Sequence, residues 1–361
     1  MLLALALLAG VGLDSASSAE RCGACHRAIH EAWKSSAHAR AMESRLFQDA
    51  LERAEADLGA GMRKTCLACH APLAALTGDL TLQKKVNWEG VTCDYCHSMK
   101  EVVWEGANPR ARLELGLVKT GPLKESSPVS HGATFSSVHT TSEVCAPCHE
   151  YRNALGLNVL STYSEWKASP QAKAGKQCQT CHMSRVAGDV VDPRIKASTG
   201  SKINLHQMPG SHSLDQLNST VRANLSTERE NGKLKVTISV ANISAGHFVP
   251  TGSPLRKIVL ELRADSYDGK RFREERVYGR TVVDAAGDPL SREHMVFVKG
   301  AKIASDTRLA PEEKRVETFY FDVPPGVQTQ LNATLWYYFS PMATAEAQKR
   351  ITFRTISRLA R

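Results

Sequence analysis

The chain has 361 residues, with 46 Lys and Arg against 37 Asp and Glu, 13 His and 10 Cys, and a formal net charge of +9. This length predicts two domains with enough residues for a hydrophobic core. No apolar run reaches the roughly 18 residues of a membrane-spanning helix. Hydrophobic and charged fractions of 42% and 23% exclude a disordered chain. The basic balance by itself would suit nucleic acid or an acidic surface as a partner.

The N-terminus is typical of an export signal. A 12-residue apolar block covers residues 2–13, and Ser17, Ser18 and Ala19 then supply the small residues of a cleavage site. We therefore predict a signal peptide over residues 1–19, with cleavage before Glu20 and a mature chain in the periplasm or outside the cell. A buried helix is the alternative for the apolar block.

The next segment, from Glu20 to about residue 62, is predicted to be helical. Ala, Glu, Arg, Leu and Met dominate it, and neither Pro nor an internal Gly occurs between Ala24 and Leu58. Between Cys66 and Leu217 we expect only short helices, because turns rich in Gly, Pro, Ser and Asn interrupt the chain.

After about residue 218, hydrophobic and polar residues alternate as they do in β-strands. The alternation is clearest at residues 236–240, 258–262, 316–323 and 332–339. About seven strands in roughly 140 residues predict a β-sandwich over residues 219–361, with a barrel as the alternative. The predicted fold class is α+β: a mainly helical and loop-rich module at residues 20–218, followed by an all-β, sandwich-like domain.

All ten cysteines fall into five Cys-x-x-Cys-His motifs. Two thiols at this spacing can bond to the two vinyl groups of one haem, and the histidine that follows is placed as the proximal iron ligand. The motifs are Cys22-Gly-Ala-Cys25-His26, Cys66-Leu-Ala-Cys69-His70, Cys93-Asp-Tyr-Cys96-His97, Cys145-Ala-Pro-Cys148-His149 and Cys178-Gln-Thr-Cys181-His182.

Disulfide bonds, zinc sites and chance each account for less of the cysteine pattern than haem does. Disulfide bonds suit an exported chain but do not require a histidine after every pair. Zinc sites made from two Cys-x-x-Cys units leave one of the five unpaired. A histidine after all five pairs by chance has a probability of about 10⁻⁷ from composition. The motifs therefore predict five covalently bound haems c.

Haem also changes the meaning of the net charge. Residues 1–218 carry 23 basic against 21 acidic side chains, and residues 219–361 carry 23 against 16. Each haem with ionised propionates adds about −1 when ferric and about −2 when ferrous. The haem module then becomes neutral to acidic while the β-domain stays basic, so we expect no nucleic acid partner and at most a peripheral membrane association.

The iron of an electron-transfer haem needs a sixth ligand, and eight histidines lie outside the motifs. Six of them lie in the haem half of the chain: two in the N-terminal segment, two before the fourth motif and two after the fifth. The last four, together with one from the N-terminal segment, are the predicted distal ligands: His38, His131, His139, His206 and His212. On one continuous helix His38 would lie about 18 Å from His26, too far to bind the same iron.

The remaining histidines are predicted to have other roles. His30 lies one helical turn after His26, where we expect a surface position or a hydrogen bond to a propionate. His247 and His294 lie in the β-region, where a structural or surface role is the stronger prediction. Methionine can also bind haem iron, but four methionines near the motifs are expected to pack instead: Met42, Met99, Met183 and Met208.

The segment from Cys22 to Leu46, with Trp33 and the run Ser-Ala-His38-Ala-Arg-Ala-Met42-Glu-Ser, resembles the first haem region of the multihaem cytochrome c-554 family. The segment Gly90-Val-Thr-Cys93 with its motif is similar to that family's paired-motif region. The resemblance implies that His38 binds a haem other than that of its own motif.

Later segments are similar to larger multihaem cytochromes, some of which form extracellular filaments. These segments are Ser127 to Cys145, Thr162 to Trp166, Cys178 to Met183 and His206 to His212. The run Gly246-His247-Phe-Val-Pro-Thr-Gly252 resembles a recurring feature of cytochromes that carry a β-sandwich.

Three functions are compatible with this pattern. The first is an electron carrier between a donor and an acceptor protein, which uses closely spaced haems. The second is a reductase of nitrogen or sulfur oxyanions, which needs one haem with an open sixth position. The third is a conducting filament, in which subunits self-assemble. Saturation of all five irons by histidine favours the carrier.

Overall fold

A computed structural model describes residues 16–343, 345 and 349–361. Most of the predicted export signal, residues 1–15, lies outside the described residues. The chain divides into two compact units: the first comprises the residues up to Cys148 together with Gln177–Met208, and the second comprises His149–Lys176 together with Pro209–Arg361. The chain therefore enters the second unit twice, whereas the sequence suggested one boundary after residue 218.

The helices are short and cover the N-terminal part of the chain most densely. They are α1 (Ala19–Gly23), α2 (Arg27–Lys34), α3 (Arg45–Leu58), α4 (Gly61–His70), α5 (Pro72–Thr77), α6 (Cys93–His97), α7 (Ala146–His149), α8 (Thr162–Lys167), α9 (Pro170–Lys173), α10 (Cys178–His182), α11 (Leu214–Thr220) and α12 (Glu293–Lys299).

The single helix predicted from Glu20 to about residue 62 is instead three helices, α1 to α3. Two serines explain the break after α2: the Ser35 hydroxyl donates to Ala32 O at 2.9 Å, and Ser36 Oγ accepts from the backbone N–H of Ala39 at 3.1 Å. Such local bonds compete with the helical ladder. Ser44 then caps α3 by accepting from Phe47 N.

Eight strands that the sequence did not predict form four two-stranded pairs. They are β1 (Met99–Glu105) with β2 (Asn108–Leu113), β3 (Val118–Gly121) with β4 (Gly132–Phe135), β5 (Glu150–Arg152) with β6 (Asn158–Ser161), and β7 (Arg185–Ala187) with β8 (Lys202–Asn204). Only the pair of β3 and β4 among them is parallel. Their short lengths explain why no period of two stood out in the sequence.

The second unit is dominated by two antiparallel sheets that share one hydrophobic core, in agreement with the predicted all-β domain. Its strands are β9 (Val221–Glu230), β10 (Lys233–Asn242), β11 (Lys257–Ser266), β12 (Arg271–Val283), β13 (Lys302–Asp306), β14 (Lys314–Phe321), β15 (Thr329–Tyr338) and β16 (Arg350–Ala360). The sheet orders are β14-β10-β9 and β13-β12-β11-β15-β16.

The predicted alternation holds on β10 and β15 but not on β11. On β10, Val236, Ile238 and Val240 are fully buried, as the period of two requires. On β11, Val259 and Glu261 are buried as well as the residues between them. Glu261 is covered on its face of the sheet by Arg263 and Arg273, each 2.6 Å from its carboxylate.

The two units differ in how much apolar side chain they bury. Among the described residues, one cluster of 25 buried hydrophobic residues fills the space between the sheets of the second unit. The first unit holds three separate clusters with five, four and three buried residues. A unit of this size ordinarily has one contiguous core. The first unit therefore has room for another apolar component.

Within the described part of the chain, no helix combines the length and apolarity of a membrane span.

Candidate functional site: the Cys-x-x-Cys-His motifs

Each of the five motifs lies on or beside a short helix. The second, third and fifth motifs occupy the ends or the whole of α4, α6 and α10, while the fourth spans the start of α7. The first motif begins on α1, and its His26 is the residue immediately before α2. Thr92 caps α6 by accepting from Tyr95 N. One helical turn holds both thiols of a motif close to the histidine that follows.

The thiols of the motifs form neither disulfide bonds nor a metal-binding cluster among the described residues. All ten cysteines lie in the described residues, and none is in a disulfide bond. No group of three or more His, Cys, Asp or Glu side chains among the described residues is arranged to hold a metal ion. Burial raises the pKa of Cys66 and of Cys96 to about 11, so both thiols are protonated at neutral pH.

Thiol hydrogen bonds connect different motifs of the first unit. The thiol of Cys22 in the first motif is hydrogen-bonded to that of Cys93 in the third, and the thiol of Cys69 in the second to that of Cys148 in the fourth. The thiol of Cys145 in the fourth motif is also hydrogen-bonded to that of Cys178 in the fifth. The motifs are therefore packed thiol to thiol, in an order that differs from their order in the sequence.

Two motif histidines are held by backbone carbonyls through Nδ1. Nδ1 of His26 lies 2.6 Å from Val190 O, and Nδ1 of His97 lies 2.7 Å from Thr120 O. A proton shared with a carbonyl belongs to the histidine, so this contact puts the lone pair on Nε2. The protein itself therefore orients Nε2 of both histidines as a lone-pair donor for an iron.

His131 faces His26, with ring centroids 6.1 Å apart and planes inclined by 49°. Two imidazoles on opposite sides of one iron, each with a metal–nitrogen bond of about 2 Å, have ring centroids about 6 Å apart. Nδ1 of His131 lies 2.8 Å from Gly132 O, so its Nε2 carries the lone pair too. This pair fits a single iron.

Two predicted ligands lie near His97. The ring of His206 is 6.3 Å away, centroid to centroid, and its Nδ1 lies 2.7 Å from Asn204 O. The ring of His139 is closer, at 5.3 Å, but its Nε2 lies 3.1 Å from the hydroxyl of Thr120. His206 therefore has the separation and tautomer of a ligand, while His139 is engaged through Nε2.

His38 is buried near the fifth motif. Its Nδ1 lies 3.1 Å from Met208 Sδ, and burial together with the nearby charge of His182 lowers its pKa. His38 and His182 are far apart in sequence, so the fold brings a candidate ligand from the α2–α3 turn to another motif. Met208 packs as predicted, against Ala19, Trp33 and Ala39.

The other histidines have varied surroundings. His70 stacks on Phe47 with centroids 3.8 Å apart, and His212 stacks on Phe339 at 4.1 Å. His30 lies beside Trp33, at 5.7 Å. His294 is buried in α12, with 5% of its surface exposed. No sequence signal marks Phe47 as a neighbour of a motif histidine, because an isolated Phe carries no positional pattern.

Comparison with known proteins gives a match over the first three motifs. The family model "Cytochrome c554 and c-prime" matches residues 21–98. Cytochrome c-554 of Nitrosomonas europaea is 33% identical over 84 residues, which are 22% of this chain and 36% of that protein. The chain resembles the cytochrome c-554 family of multihaem cytochromes.

The segment that resembles cytochrome c-554 is a minor part of this chain. The chain spans about a third of the length of its curated relative. The fourth and fifth motifs and the β-domain lie beyond the match. The crystal structure of a penta-heme cytochrome c552 from Thermochromatium tepidum has the same fold over almost the whole chain. Its TM-score is 0.73 at 21% identity, with coverage of 96% of this chain and 99% of that one.

Proposed function

We propose that the protein is an electron-transfer cytochrome that binds five haems c through its five Cys-x-x-Cys-His motifs. The observation that carries this proposal is the pair His26 and His131, whose 6.1 Å centroid separation suits one iron directly beside Cys22 and Cys25. Bound haem supplies an iron that cycles between ferric and ferrous states. The ten thiols supply its covalent attachment.

The donor set of the first unit fits haem in two further ways. Oriented imidazoles such as His97 and His206 supply nitrogen ligands on both sides of an iron. The scarcity of buried apolar side chains in this unit leaves apolar volume to be filled, which five porphyrins would do.

The proposed ligand pairs follow from the contacts. His131 serves the iron of His26, and His206 serves the iron of His97. His38, which is buried with its Nδ1 3.1 Å from Met208 Sδ and lies in the electrostatic surroundings of His182, serves the iron of His182. His212 remains a predicted ligand without an assigned iron, and His139, whose Nε2 is engaged by Thr120, is not part of the proposed pairs.

Closely packed motifs suit conduction between haems. The thiol contacts link the fourth motif to both the second and the fifth, and the first to the third. Haems attached at these thiols would be close neighbours, which keeps electron transfer fast. The protein side chains exclude water and fix the spacing; the redox partners are a donor and an acceptor protein.

We further propose that the chain is exported, because covalent haem attachment behind an apolar N-terminal leader suits an extracytoplasmic protein. The relative excess of basic residues after residue 218 supports docking of an acidic partner on the β-domain. Reduction by an acidic donor protein should then slow as ionic strength rises.

Electron paramagnetic resonance (EPR) of the fully oxidised holoprotein separates the carrier from a reductase. With histidine on both sides of every iron, the spectrum should contain only low-spin ferric haem. A high-spin signal equivalent to one haem in five would support the reductase and contradict a pure carrier. A haem content well below five per chain would contradict both.

A further inference from the structure

His247 lies on the loop 246–252, where the sequence predicts a structural role in the β-region. Its Nδ1 lies 2.9 Å from Phe248 O. The same Nδ1-to-carbonyl contact orients His131, through Gly132 O, and His206. A histidine held this way presents Nε2 as a lone-pair donor. His247 thus shares the orientation of the ligands proposed for other irons.

The helix α8 hydrogen-bonds both to the residue after the fourth motif histidine and to this loop. Glu150, the residue after His149, accepts a hydrogen bond from Ser164 N at 2.9 Å. Glu165, the next residue of α8, accepts one from the backbone N–H of Phe248 at 3.2 Å. The residues that follow the two histidines are therefore bound to consecutive positions of one helix, all within the second compact unit.

A buried ion pair fixes the loop in place. Arg308 donates to Glu165 Oε1 at 2.7 Å and to Pro250 O at 3.3 Å, and its guanidinium lies 4.6 Å from the centre of the Phe248 ring. The side chains of Arg308 and Glu165 are 5% and 6% exposed. Thr251 Oγ1 donates to Glu165 as well, at 2.8 Å. A buried charged clamp of this kind limits the positions that the His247 ring can take.

Close packing adds to this constraint. A Cβ at Gly246 would lie 3.0 Å from the Cβ of Gln171 and 3.1 Å from the hydroxyl of Ser169, so a side chain at this position would crowd the residues that follow α8. The loop is held against the helix that follows β5 and β6, the two strands directly after His149.

We propose that His247 is the distal axial ligand of the iron whose proximal ligand is His149. The inference rests on the proposed haem binding and adds a ligand that the sequence disfavoured. His212, the predicted ligand in the same unit, is not assigned to this iron. Its ring stacks on Phe339, with planes inclined by only 6°, beside the hydrophobic core of the sheets.

The test is H247A in the full holoprotein, with H294A as the matched control, because His294 is the other histidine of the β-region and lies buried in α12. Haem content is measured first in the wild type and in both variants, by pyridine haemochrome absorbance. A wild-type value other than five per chain would refute the proposed function itself. With five haems present, H247A should convert one haem in five from low to high spin in the ferric EPR spectrum, and added imidazole should restore it. H294A should leave every haem low-spin.

A double variant assigns the iron. If His149 and His247 bind the same iron, H149A and H247A each alter one haem, and the double variant still alters only one. Two altered haems in the double variant would overturn the pairing, and an unchanged spectrum in H247A would overturn the ligand. If H247A fails to accumulate, H247M serves instead: a methionine ligand should raise the reduction potential of one haem. Five unchanged potentials in H247M would equally refute the proposal.

Discussion

At the residue scale, the contacts of Thr120 show which of His139 and His206 can bind the iron of His97. Its backbone carbonyl accepts from Nδ1 of His97, and its hydroxyl donates to Met99 O at 2.9 Å. A hydroxyl has one proton, so the contact of 3.1 Å between Thr120 Oγ1 and His139 Nε2 needs a proton from His139. Nε2 of His139 is then a donor and has no lone pair for iron, whereas that of His206 has one.

This difference gives a paired prediction. H206A should leave one haem of the ferric holoprotein high-spin, because the iron of His97 loses its distal nitrogen. H139A should leave the EPR spectrum low-spin throughout and cost only stability, since it removes a hydrogen bond. The reverse pattern, with the high-spin signal in H139A, would assign the iron to His139.

The buried pair of Arg308 and Glu165 supports a second prediction. R308A leaves the Glu165 carboxylate buried without its cation, which should lower the free energy of unfolding by about 3–5 kcal/mol. R112A, which removes an exposed cation opposite Glu101, should change it by less than about 1 kcal/mol. Chemical denaturation of the two holoproteins measures both. Equal effects would show that the clamp contributes no more than a surface pair.

At the element scale, the β-sheets supply the core of the second unit. L260A on β11 should destabilise the protein by about 2–5 kcal/mol, because Leu260 is 1% exposed between strands on both sides. V316A on β14, where the side chain is 55% exposed, should change the free energy of unfolding by within about 0.5 kcal/mol. A similar loss in both variants would contradict the strand orientation described.

The start of α1 bears on the predicted cleavage site. Ser18 Oγ accepts from Glu20 N and donates to Glu89, while the backbone N–H of Ala19 donates to Glu89 at 2.8 Å. Ala19 is buried against Trp33. Cleavage before Glu20, the site that the sequence predicts, would remove all of these contacts, whereas an earlier cleavage site would keep them. The contacts favour a mature chain that retains Ser18, and the intact mass of the exported protein decides between this and a chain that begins at Glu20.

The elements also show which parts of the structure could be predicted. A single strong local pattern, such as Val236 to Val240 or a Cys-x-x-Cys-His run, predicts its own element or ligand. Contacts between distant segments leave no such pattern, so helix geometry and resemblance predicted only that His38 binds a haem other than that of its own motif, and not that it lies near His182. The clamp of Glu165 on the loop of His247 had no sequence signature at all, since one acidic residue in a helix is ordinary.

At the scale of the whole molecule, the two units should depend differently on haem. The second unit has a large apolar core, while the first has only small clusters. Haem-free chain, produced without the attachment machinery, should therefore be cut by protease mainly between residues 20 and 148. Residues 221–361 should persist as a β-rich fragment by mass spectrometry and circular dichroism. Uniform protection of both units would show that the first folds without haem.

Covalent attachment of five haems is the claim on which the ligand pairs, the packing of the first unit and the electron-transfer function all depend. Intact-mass measurement of the denatured, reduced holoprotein tests it most directly, because thioether-bound haem survives denaturation. We expect a mass equal to the mature chain plus five haems, with no thiol left to alkylate. Fewer than five haems, or cysteines that alkylate after reduction, would contradict covalent attachment at all five motifs.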